Sequence, residues 1–250
     1  YQYFSSEPPG AGGGIRTQLL FEDESARVEL VGPENSMLKQ PGPTTADLEV
    51  HRDRASHAAL LELQARKIML KPGQWTPWLK ISFVLSTPAP VPTQYVSGIC
   101  RILLQEVAPN FRLYVTPINI DPSAPAVQMS EPPEFIEDVA EQLGLFYTTG
   151  FQEDHQARKD GVFVDDEFLE QATHVLEERL AMSKYESQNY EEGLLFFYIS
   201  SSDLQSHMFW WNAEENETHP TRTGTEAEKF YGHIKRLYQR LDAVNGDIYD

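Results

Sequence analysis

The sequence predicts a mixed α/β protein, with a β-rich antiparallel module over residues 15–120 and a helix-rich α/β segment over 121–250. Three observations predict it. Short apolar runs separated by Pro and Gly turns recur up to Ile120, the pattern of strands joined by short connections. From Asp165 onward, apolar residues recur at the 3.6-residue spacing of helices with one core-facing stripe. Between two such stretches lies GLLFFYISSSDLQSHMFWW (193–211), whose apolar run does not alternate. A short run of this kind reads as a strand buried on both faces of a parallel sheet.

Residues 1–14 carry SSEPPGAGGG and read as a connector or the remnant of a core segment. Their glycines lack the spacing and the Lys-Ser/Thr of a phosphate-binding loop. Residues 15–31 form two alternating blocks around the acidic turn 22–25, which predicts a hairpin. The stretch 37–54, rich in Pro, Gly and polar residues, reads as a loop. From 58 to 120 come LLELQARKIML, WLKISFVL, SGICRILLQEV and FRLYVTPINI, each read as a strand. Turns at 71–74 and a Pro-rich connection at 88–92 separate them.

Asp121 opens an irregular link with prolines at 122, 125, 132 and 133. Pro133 suits the first turn of a short helix over 134–143, which Gly144 stops. Asp165 and Asp166 cap a longer helix whose stripe is Phe168, Leu169, Ala172, Val175, Leu176 and Leu180. The strand 194–200 follows, then a helix capped by residues 201–203, then a polar loop over 212–224. Thr225 opens a last amphipathic helix through Phe230, Ile234, Leu237, Leu241 and Val244.

Composition narrows the function. The 250 residues suffice for one large or two smaller cores, and 40% hydrophobic content excludes wholesale disorder. With 38 acidic against 20 basic residues the formal charge is −18 and no basic stripe is present, which excludes a nucleic-acid polymer as partner. A small phosphate ester would need a local attractor, which a bound divalent metal provides. The single cysteine, Cys100, excludes a disulfide framework and a cysteine-rich metal site, and its apolar surroundings mark a structural thiol. No segment is long and apolar enough to span a bilayer, and no signal peptide opens the chain. Both ends read as cut from a longer protein, so compartment and oligomeric state stay open.

The chemistry concentrates at Asp203 and His207. Four residues apart at the head of a helix, they share one face, and a carboxylate with a neutral imidazole suits zinc. The same spacing is also met by Asp203 as a helix cap and His207 as a packed aromatic. Among the other histidines, His51 and His57 read as exposed beside a polar loop, and His174 and His233 as structural. His155 has a substrate-facing reading, and His219 ligates only if its loop folds back. Trp75 and Trp78 read as core rather than as a carbohydrate platform. No G-x-S-x-G, H-E-x-x-H, EF-hand or C-x-x-C pattern is present, so serine-triad and zincin chemistry find no support.

The stretch FFYISSSDLQSHMFWW, then THP, then FYGHIKRLYQRLDAVNG resembles the type I phosphodiesterase/nucleotide pyrophosphatase branch of the alkaline phosphatase superfamily. Upstream, GQWTPWLKISF, FRLYVTPINIDP, LGLFYTTGFQED and DDEFLEQATHVLEER resemble the insert of its microbial members. The resemblance covers nearly the whole chain. It implies an alkaline-phosphatase-like α/β/α domain preceded by the β-rich insert, and a site of two divalent metals, zinc or alternatively manganese. It implies hydrolysis of phosphodiester or nucleotide pyrophosphate bonds, with Asp203 and His207 as two ligands of one metal. The family's nucleophile and remaining ligands match no position here, so the resemblance assigns this chain a half-site and a small-molecule phosphate ester as the parent protein's substrate. A catalytically silent module of the same fold, or a sulfatase or phosphomonoesterase of the superfamily, is the competing expectation.

Overall fold

The computed structural model describes residues 1–36, 40–87, 90–212, 230 and 232–249. Helices and strands are both abundant, so the chain is mixed α/β, and it divides into two compact units, Tyr1–Glu167 and Phe168–Asp250.

The described residues of the first unit form twelve strands: β1 (Gln2–Ser5), β2 (Ile15–Gln18), β3 (Ser25–Asn35), β4 (Gly42–Asp53), β5 (Ala58–Leu63), β6 (Arg66–Leu70), β7 (Gln74–Trp75), β8 (Leu79–Leu85), β9 (Gln94–Cys100), β10 (Ile102–Glu106), β11 (Arg112–Val115) and β12 (Asn119–Ile120). They form three sheets, ordered β2-β1-β11-β10-β7, β12-β9-β8 and β3-β4-β5-β6. One core joins them, built from Phe4, Leu30, Leu48, Leu61, Ile81 and Leu113 among others. Side chains of β4 and β8 alternate between core and solvent, as strands with one covered face must. Gly32 permits close packing here, because a Cβ at that position would stand 2.3 Å from the Phe83 ring.

Several expectations are corrected. The segment 37–54 is not a loop: its described residues contain β4, whose Thr44, Ala46, Leu48 and Val50 point inward. Asp53 ends that strand by accepting the Ala55 and Ser56 N–H groups at 2.9 and 3.2 Å. LLELQARKIML is a hairpin, not one strand; Gln64 turns the chain at φ 53° while its side chain bonds the Ser82 backbone. SGICRILLQEV breaks at Arg101, where the chain leaves one sheet for another and its N–H donates to Thr116 Oγ1. The expected 15–31 hairpin does not form. Instead β2 runs parallel to β1, which precedes the 15–120 module, and β3 pairs with β4; the described strand pairs within 15–120 are all antiparallel. Within the first 14 residues, Gln2–Ser5 is a central strand, and Gln2 bridges to Val31 through both its amide atoms.

The described residues of this unit also form two helices. The first, α1 (Phe135–Leu143), follows Pro133 and ends at Gly144 with φ 84°, as expected within one residue. The second, α2 (His155–Lys159), was not foreseen; Asp154 caps it by accepting the Ala157 N–H at 2.8 Å. Buried Tyr114 donates to the same carboxylate at 2.6 Å, and burial first, then Asp154, pushes its pKa far up. Asp121 is buried as well. Burial alone would raise its carboxyl, but the Ser123 and Ser97 hydroxyls and the Lys80 ammonium outweigh that and hold it below the usual range.

The second unit is helical: α3 (Asp165–Asn189, with its first turn in the preceding unit), α4 (Ser201–Phe209) and α5 (His233–Tyr249). Five of the six expected α3 stripe residues are buried, and Leu169 is half-buried. Leu176, Leu180 and Leu237 form a small core with Ile199, Leu241 and Val244 against it. The expected strand 194–200 is absent: these residues carry no ladder, and Leu194, Phe196 and Tyr198 are 90%, 82% and 64% exposed. A sheet strand needs backbone partners, and no strand occurs among the described residues of this unit. Met37, His219, Thr225 and most of the loop 212–224 lie outside the described residues. No described helix is long and apolar enough to cross a membrane.

Candidate metal centre

Helix α4 is built as two opposite faces. Gln205 and Phe209, one turn apart, point inward with 2% and 0% exposure. Asp203 and His207 are offset from them by two residues, or 200° at 100° per residue, and so face solvent. The inward face is fixed by ring contacts of Phe209 with Phe168, Phe230 and His233, and by a 2.8 Å hydrogen bond between His233 Nε2 and Gln205 Oε1. Burial, then Arg236, lowers the His233 pKa, so His233 is the structural histidine expected from sequence.

The outward face brings the two expected ligands together. His207 Nε2 lies 3.4 Å from Asp203 Oδ1, with side chains 70% and 65% exposed. Asp203 is not the helix cap; Ser200 occupies that position, without a side-chain capping bond. His207 is not packed in a core. Two ligands of one tetrahedral zinc, each about 2.1 Å from the ion, stand roughly 3.4 Å apart, so the pair has the spacing of neighbouring ligands. Two donors are half of a tetrahedral set.

The remaining candidates separate. His57 is exposed, with φ 48° in a turn. His155 opens α2 with its ring edge-on to Phe151 at 5.7 Å. Trp75 packs edge-to-face on Tyr114 and Phe163, and Trp78 on Tyr147, as core residues do. Cys100 is buried and its thiol is pushed up to about 12 by burial, consistent with a structural role. A cavity of about 460 Å³ in the first unit is lined mainly by Ile15, Val31, Pro33, Val96 and Ile118, and its polar side chains Gln2, Ser97 and Asn119 are each hydrogen-bonded within the chain.

Sequence reasoning missed one cluster. His51 was expected beside a loop, but it sits within β4 and faces Glu49 and Glu62. The signal was the alternation E-x-H in a segment read as a loop. The chain matches no family model, no curated protein and no solved structure.

Proposed function

We propose that this chain is part of a metal-dependent phosphoesterase that hydrolyses phosphodiester or nucleotide pyrophosphate bonds of a small-molecule substrate. In this reading Asp203 and His207 hold one divalent ion, zinc or alternatively manganese, of a two-metal site. One observation carries it: the two side chains converge at 3.4 Å on the solvent face of α4, while the opposite face anchors the helix. Asp203 supplies an anionic oxygen and neutral His207 a ring nitrogen lone pair. When bound, such ions polarise the phosphoryl oxygen and activate the attacking and leaving oxygens. The net charge of −18 also repels a phosphate ester, so a local cation at this point is needed to bring one in.

The same reading accounts for residues 194–199. An apolar segment without ladder partners, exposed at Leu194, Leu195, Phe196 and Tyr198 just before the metal-binding helix, is what a strand of an alkaline-phosphatase-like sheet presents when its neighbours are elsewhere in the parent protein. The nucleophile and the other ligands are then supplied there too. The chain by itself is expected to leave a chromogenic phosphodiester intact with added zinc or manganese. Turnover that vanishes with Asp203→Ala would overturn the half-site account. In the parent protein, His207→Ala should lower metal content and phosphodiester hydrolysis together. Metal content unchanged in that variant, with lost stability, would overturn the assignment.

A further inference from the structure

The solvent face of the four-stranded sheet carries a second group of metal-ligating side chains, independent of the phosphoesterase reading. Glu49 and His51 stand two residues apart on β4 and so share a face. Glu62 on β5 is the register partner of Glu49 and lies diagonal to His51. His51 Nε2 is 3.6 Å from Glu62 Oε1 and 4.0 Å from Glu49 Oε2, and the ligand atoms of all three lie within 4.8 Å of one another.

Three features favour a bound cation over separately solvated charges. Like charges directly opposed across an antiparallel pair repel, and Glu49 faces Glu62. Arg27, the other register neighbour of Glu49, is turned to Asp47 through two hydrogen bonds. His51 Nδ1 lies 2.9 Å from Ser25 Oγ, so the ring is oriented from outside the cluster with Nε2 toward both carboxylates. The His51–Glu62 distance is already close to the roughly 3.4 Å between neighbouring ligands of tetrahedral zinc. Glu49 closes the remaining gap by rotating its own half-exposed side chain. Lys67 Nζ, 2.7 Å from Glu62 Oε1, is the competitor; it is 68% exposed, and an arriving dication displaces it into solvent.

We propose that Glu49, His51 and Glu62 form a divalent-cation site, zinc preferred, that clamps β4 to β5 and leaves a fourth position open to solvent. One imidazole with two carboxylates is a three-ligand set that zinc accepts with an open position.

The test titrates Zn²⁺ alone into the metal-stripped chain by calorimetry, in a His207→Ala background that removes the α4 pair. The His51 ring resonances are followed by NMR in parallel. The expected result is binding of one equivalent with shifted His51 resonances. His51→Ala and Glu49→Gln should each weaken it at least tenfold, and Ser25→Ala by about tenfold or more through loss of ring orientation. Circular dichroism checks that each variant keeps its fold, which Glu49→Gln preserves in shape. No binding in the His207→Ala background, or binding that His51→Ala and Glu49→Gln leave unchanged, overturns the proposal. Zinc binding lost with His207→Ala alone would sink this site while leaving the phosphoesterase reading intact.

Discussion

The two faces of α4 make opposite demands on stability, and a pair of substitutions measures both. Phe209 has no exposed surface and its ring centroid lies 5.9, 5.5 and 5.3 Å from those of Phe168, Phe230 and His233. Phe209→Ala empties that space, and deletions of buried phenylalanine cost about 3–5 kcal/mol. That is a large share of the roughly 5–15 kcal/mol that holds an ordinary domain together. The His207 side chain is 70% exposed, and among the described residues its ion pair is the one-turn contact with Asp203. Exposed pairs of this spacing contribute about 0.3–0.5 kcal/mol, and less when the imidazole is neutral. His207→Ala should therefore leave the urea midpoint of the helical signal almost unmoved, whereas Phe209→Ala should lower it severely. A cost above about 1 kcal/mol for His207→Ala would make His207 a packing residue and remove the ground for reading it as a ligand. A cost below that for Phe209→Ala would refute the assignment of faces.

Two further outcomes follow from one buried and one half-buried polar group. Tyr114→Phe removes the 2.6 Å hydrogen bond to Asp154 and should cost about 1.5–3 kcal/mol, the range for a bond to a charged group, read as a lower thermal midpoint; no change would mean that the bond contributes nothing. Burial and Arg236 hold the folded-state pKa of His233 below the ordinary histidine value of about 6.5, so the unfolded chain takes up its proton first. Stability from this residue is complete above that value and is lost as pH falls through the window beneath it. The urea midpoint of the wild type should drop more than that of His233→Gln between pH 7.5 and 5.5, and equal drops would exclude His233 as the source.

Local pattern was a good guide where one physical constraint dominated. The α3 stripe and the Gly144 stop were legible because a helix repeats its contacts within the segment itself. The turn at Gln64 was not, because no glycine or asparagine marks it. The left-handed backbone there is supported by two hydrogen bonds to Ser82, eighteen residues away, and such support leaves no local trace. Residues 194–200 show the limit from the other side. Apolarity without alternation states what a segment would gain by burial on two faces, but burial depends on neighbouring strands, and none occurs among the described residues of that unit.

The two candidate metal sites differ in legibility for the same reason. Asp203 and His207 could be paired from sequence because helical spacing alone brings positions i and i+4 together. Glu49, His51 and Glu62 could not, because Glu62 belongs to another strand and its place is set by the β4–β5 register, Glu49 opposite Glu62 and His51 opposite Leu60. A slip of one residue would turn the whole inward set of β4 to solvent and carry Glu49 and His51 into the core. The burial of Leu48 and Val50 therefore fixes the register, and through it the approach of the two carboxylates to His51. The hydrophobic core in this way determines the geometry of the polar face behind it, and strand pairing has to be known before any ligand on that face can be read.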